Sequence, residues 1–318
     1  MRKLFFLGSI IILLWSCENL ETVVDLDIPE HEPVLVLNSI LDTDTTVKIL
    51  ISRSIGAFSN QVPSGVHDAN VLIYENNIFM DSVMINTDNT IAYYFENSGQ
   101  YDSISLNYYE SNLIPKKNSN YKVEVFHDNY PSISASTYIP DDINVYGIET
   151  DTLSFEDRIG FNFSFIDNPD LDNYYRLKLF SSCTKEWEEL GETQSYSWEG
   201  YVEMMSNDPS FPSGLPWDGY TFVGNRVVFS DALFNGEEKN IRLDISTIGF
   251  RYEDCDTIRL QLSVFSSDTY SYYNSLNEHR SKGMLNIFGG EVIPVYSNVQ
   301  NGLGSLISTN AQIIQIKP

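Results

Sequence analysis

The sequence predicts a mainly β protein: an antiparallel β-sandwich followed by a second β-rich domain with one helix. Three observations predict it. Short apolar runs alternate with polar residues at period two, turn-forming residues separate the runs, and nothing before Pro140 reads as a long amphipathic helix. At 42% hydrophobic and 13% aromatic, the 318-residue chain is too apolar for an acidic disordered tail.

Along the chain, Val34-Leu35-Val36-Leu37 opens the strand series. Val47, Ile49 and Ile51 alternate with Lys48, Leu50 and Ser52, and Ala69, Val71 and Ile73 with Asn70, Leu72 and Tyr74. Asn76-Asn77 offers a turn into Ile78–Met84, since Asn tolerates the left-handed backbone a tight hairpin needs. Tyr121, Val123 and Val125, then Ile133, Ala135 and Thr137 after Pro131, complete the first half. Pro140-Asp141-Asp142 marks a boundary, which divides the mature chain into residues 34–140 and 141–318. Beyond it strands resume at Gly160–Ile166, at Tyr174–Phe180 (Tyr175, Leu177 and Leu179 on one face), at Ile241–Ile245 and at Ile258–Val264. A helix is predicted over 267–282, with Ser266 or Ser267 as its cap and Gly283 as its end. Ala311–Ile316 is the last predicted strand.

The N-terminus reads as an address. Met1-Arg2-Lys3 precedes an apolar run from Leu4 to Trp15. As a helix that run spans about 18 Å, short of the roughly 30 Å hydrocarbon layer, so residues 1–16 read as a signal peptide. Leu14-Trp15-Ser16-Cys17 resembles the bacterial lipobox, with bulky Trp15 where stricter versions carry a smaller residue. The resemblance implies cleavage before Cys17 and acylation of its sulfur and new amine; the expected address is the outer-membrane lipid bilayer, facing the cell surface in preference to the periplasm, with the choice of leaflet left open by the motif. Several acyl chains anchor durably, at about 0.8 kcal/mol per buried methylene. Residues 17–33 then form a lipidated cysteine and an acidic tether carrying Asp25, Asp27, Glu30 and Glu32. With 44 acidic against 19 basic residues, a nucleic-acid partner is excluded by repulsion.

Cys183 and Cys255 remain for an oxidising compartment. A bridge would close a loop of about 70 residues and contribute about 4 kcal/mol in the chain-entropy model; two buried free thiols are the alternative. His31, His67, His127 and His279 are isolated, with no partner at metal-ligand spacing, and no nucleophile-elbow, zincin or phosphate-loop motif occurs. No catalytic residue, transition metal or cofactor is therefore expected. Asp167, Asp170 and Asp172 lie close enough in sequence to raise a calcium site, but the segment lacks the Gly and distal Glu of an EF-hand and equally suits a turn. Cys183–Phe222 concentrates Trp187, Trp198 and Trp217 with Tyr196, Tyr201 and Tyr220, among Gly and Pro breakers. It reads as a long aromatic loop that either presents rings to a ligand or protein partner or packs them beneath itself.

Several segments in order resemble one family. They are Val24-Asp25-Leu26-Asp27-Ile28-Pro29, Pro33–Asn38, Val47–Ser54 and His67-Asp68-Ala69-Asn70-Val71, then Asn173-Tyr174-Tyr175-Arg176-Leu177, Ser230–Gly236 and Pro294–Gly304. Together they resemble a Bacteroidota outer-membrane lipoprotein family catalogued as a domain of unknown function, DUF4249. Here Gly302-Leu303-Gly304 is followed by Ser305-Leu306, where the family has Ile-Phe. The resemblance implies a first domain of the immunoglobulin or carboxypeptidase-regulatory β-sandwich type. It also implies a TonB-dependent receptor, encoded alongside, as partner; it supplies no site residues. The function expected is that of a non-enzymatic accessory of such a transporter, helping to capture a glycan or peptide cargo. A structural or adhesive surface module is the alternative, and a glycan- or peptide-degrading enzyme a third.

Overall fold

A computed structural model describes residues 31–56, 62, 64–97, 100–152, 158–189, 191–213, 219–246, 255–283 and 293–316. The lipobox Cys17, the tether up to residue 30 and Trp217 lie outside the described residues. The protein is mainly β, as the alternating pattern predicts, with one helix among the described residues.

The first sandwich begins with β1 (Leu35–Asp42) and β2 (Lys48–Arg53), which pair antiparallel. β3 (Asn70–Glu75) turns into β4 (Ile78–Asn97) through Asn76 and Asn77, whose φ values of 50° and 66° are the left-handed pair a two-residue hairpin needs. β4 pairs β3 up to Val83 and β5 (Gln100–Glu110) from Met84 onward, so this one strand carries the chain between layers. β6 (Ser119–His127) and β7 (Tyr130–Ile139) extend the β3 side. Leu35, Leu37, Ile49 and Ile51 from one layer meet Val71, Ile73, Val123 and Val125 from the other in a single core.

Past Pro140 a second core forms. β8 (Val145–Thr152) and β9 (Arg158–Ile166) precede the long β10 (Tyr174–Glu189) and β11 (Glu192–Tyr201). β12 (Met204–Ser206), β13 (Phe222–Gly224), β14 (Arg226–Ser230) and β15 (Glu238–Ser246) follow, then β16 (Cys255–Phe265). β13, β12, β15, β9 and β8 form a five-stranded sheet. Its Phe161, Phe163, Phe165, Leu243 and Ile245 pack on Tyr175, Leu177, Leu179, Leu260 and Leu262 of the larger, 12-stranded sheet.

The helix α1 (Ser267–Gly283) starts and ends as its caps predict. Ser266 Oγ accepts the Thr269 N–H at 3.2 Å, and Thr269 Oγ1 in turn donates to the Ser308 carbonyl at 2.7 Å, which docks the first turn on the sheet. The final strand, β17 (Leu303–Ile316), lies between β1, to which it is parallel, and β16, to which it is antiparallel. Leu306, near its start, belongs to the first core, while Ile316 at its end belongs to the second. The large sheet therefore runs without a break across the 140/141 division, through a strand made of the last residues of the chain.

β17 begins eight residues before the predicted Ala311. Ser305, Ser308 and Asn310 break the apolar pattern there, yet they are buried, because Ser308 Oγ donates to the Tyr138 carbonyl and Asn310 Nδ2 to that of Pro140.

Candidate contact site

The segment predicted as an aromatic loop is, in its first half, a β-ribbon. β10 continues past its last pairing with β16, at Cys183 opposite Cys255, and turns at Gly191 back into β11. Beyond that point, among the described residues, Thr184–Glu189 pair only with β11, which is itself the edge of the sheet. Six residues at about 3.3 Å each project the ribbon about 20 Å. Both of its faces are wet, so the run Thr-Lys-Glu-Trp-Glu-Glu carries no apolar alternation to betray a strand.

Alternation nevertheless sorts the ribbon into two unlike faces. Cys183, Lys185 and Trp187 stand opposite Trp198, Tyr196 and Gln194 on one face. Thr184, Glu186 and Glu188 stand opposite Ser197, Ser195 and Thr193 on the other. The aromatic face is the continuation of the face that carries Leu177 and Leu179. Where the five-stranded sheet covers it, those side chains are fully buried; on the ribbon, Trp187 is 42% and Tyr196 62% exposed. The Tyr196 and Trp198 rings stack with centroids 5.8 Å apart and an interplanar angle of 16°. Trp187 Nε1 donates to Glu189 Oε2 at 3.3 Å. On the polar face Thr193 Oγ1 donates to Glu188 at 2.7 Å, and Lys178 pairs with Glu199 at 2.5 Å.

Cys183 and Cys255 form a disulfide at the root of the ribbon. It ties β10 to β16 at the last rung they share among the described residues. Gly200 leaves room for it: a Cβ at that position would lie 2.8 Å from Cys183 Sγ.

The remaining predicted site residues fall elsewhere. Tyr201, 75% exposed, stands opposite Phe180 on the other face from Trp198. Tyr220 lines a separate polar cleft of about 300 Å³ over β12 and β15, where its hydroxyl donates to Asp244. Burial, and then the bond to Asp244, raise that phenol's pKa. Asn207 braces this cleft by donating to the Gly219 carbonyl at 3.1 Å and accepting the Thr221 N–H at 2.8 Å.

Of the calcium candidates, Asp167 turns inward, accepting the Tyr175 hydroxyl and the Gly236 N–H, while Asp170 and Asp172 point to solvent. Among the described residues no three His, Cys, Asp or Glu side chains are grouped to hold a metal ion. His31 bonds Ser54 Oγ at 2.9 Å, and His127 bonds Asp68 at 3.1 Å. Lys185 and Gln194 complete the aromatic face and were not singled out from sequence. The signal that locates this face is the period-two run Ser195-Tyr196-Ser197-Trp198-Glu199.

A family model described as "Domain of unknown function (DUF4249)" matches residues 21–313. No curated protein matches the chain. Among solved structures, the Fcho1 mu homology domain of Danio rerio with a bound Eps15 peptide is similar over 88% of this chain and 92% of that one. That likeness has 10% identity and a TM-score of 0.22, too loose to bear on this chain's fold or function.

Proposed function

This chain belongs to the DUF4249 family of unknown function, and from that premise we propose that it is a non-enzymatic, outer-membrane lipoprotein of a Bacteroidota envelope. In this reading it accompanies a TonB-dependent transporter and helps capture a glycan or peptide cargo. The observation that carries a contact role is the ribbon, which holds large aromatic rings in water above a disulfide at its root. Two further features support it. The family match starts at residue 21, four residues beyond the lipobox cysteine, and the net charge of −25 suits a solvated surface protein. A surface module without cargo shares the anchor and the ribbon, so the partner decides between the two.

The test is affinity purification of the full, lipidated protein from detergent-solubilised outer membranes. A TonB-dependent β-barrel should co-purify in near-stoichiometric amount, and far less of it with Cys17→Ala. Recovery of the lipidated protein alone, with no barrel crosslinked to it in intact cells, contradicts the proposal.

A further inference from the structure

We propose that the ribbon face formed by Trp187, Tyr196 and Trp198 docks a protein surface made of an apolar patch edged by Lys and Arg, which roofs the open end of the second core. This deepens the contact role proposed above and rests on it.

The face is core-like by construction. It shares strand and parity with Leu177, Leu179 and Cys183, and among the described residues the end of the five-stranded sheet separates buried from exposed. A two-stranded ribbon without a packed face is marginal in water, so this one is completed when something covers it. From Cys183 to Trp187 the face runs about 13 Å, several rings long, which calls for a broad cover rather than a single sugar ring. Trp and Tyr are also the side chains that concentrate binding energy at protein interfaces.

Charge selects among protein occupants. Glu189 and Glu192 close the tip of this face, and Glu186, Glu188 and Glu199 stand on the face behind it, against Lys185 alone on the ribbon. A second copy would bring the same carboxylates and the same overall charge of −25, so self-association is opposed. A partner with basic residues around an apolar patch meets both features at once, and its attraction weakens with salt.

The experiment uses the full, lipidated protein in its own outer membrane, with a photoreactive phenylalanine derivative replacing Tyr196 on the aromatic face or Ser195 on the polar face. The expected result is a crosslink to another protein from Tyr196 and none from Ser195. Sequencing of the crosslinked peptide should place it in an apolar segment flanked by Lys or Arg. Tyr196→Ala with Trp198→Ala should lower recovery of that partner at least tenfold. Glu192→Lys, at the tip of the aromatic face, leaves the rings in place and should lower it at least twofold and flatten its salt dependence.

A crosslink to the transporter barrel supports both proposals. A crosslink to a different protein with that peptide chemistry upholds this surface, and the transporter reading then stands or falls on the co-purification alone. A barrel that still co-purifies undiminished with the double alanine variant, or a Tyr196 crosslink to a second copy of this chain or to no protein, overturns this inference. The first of these outcomes leaves the transporter reading standing.

Discussion

Two residues show how local chemistry fixes this fold. Gly304 sits at φ 101°, and a Cβ there would lie 2.0 Å from the Leu37 carbonyl oxygen, in the parallel pairing of β1 with β17. Neither the backbone conformation nor the space admits a side chain. Gly304→Ala should therefore cost at least about 3 kcal/mol, read as a fall in the urea midpoint. Tyr121 makes a different point. Its phenol is buried, donates to Glu75 at 3.0 Å and accepts the Lys116 N–H at 2.8 Å. Burial first, and then the Glu75 carboxylate, push its pKa up to about 12. Because this folded value lies above the ordinary tyrosine value near 10, the neutral phenol's stabilisation is fully present below about pH 10 and is lost as pH rises through 12. Urea midpoints of the native protein should fall across that window and those of Tyr121→Phe should fall less; equal slopes would show that Tyr121 does not carry the effect.

Among the elements, the ribbon and its disulfide form a unit. The bridge ties the last shared rung of β10 and β16, and in the chain-entropy model a loop of this size contributes about 4 kcal/mol. Cys183→Ser with Cys255→Ser should lower global stability by about 2–4 kcal/mol. It should also speed amide exchange in 184–199 more than in β9 or β15, as hydrogen-exchange mass spectrometry would read. Equal acceleration throughout would mean that the bridge is not a local root.

Elements whose reason is local were legible in sequence. Asn76-Asn77 announced its hairpin, and Ser266 and Gly283 bracketed the helix. Elements whose reason is distant were not. The ribbon hides because water meets both its faces, and the start of β17 hides because Ser308 and Asn310 are satisfied by carbonyls some 170 residues away. For the contact site, the aromatic residue types were visible. Their division between the ribbon face, the opposite face at Tyr201 and the cleft at Tyr220 depends on register, which composition does not encode.

At the scale of the whole molecule, the chain closes on itself. β17 is the last strand made and lies next to the first, parallel to it, and it contributes to both cores. Such a non-local pairing is expected to form late, after both halves have ordered their hairpins. β1, the first strand described, lies in the interior of the large sheet. Strand directions then set the orientation of the contact surface. β10 is antiparallel to β16, β16 antiparallel to β17, and β17 parallel to β1, so β10 runs the same way as β1 and the ribbon tip lies toward the end of the sheet away from the start of β1.

The proposed placement of this protein at an outer membrane depends on the lipid. Intact-mass spectrometry of the mature protein extracted from its own envelope should find a chain that begins at Cys17 and carries fatty-acyl groups on the sulfur and the amine. A mature protein with an unmodified Cys17, or one that retains residues 1–16 in the cytosol, would contradict it.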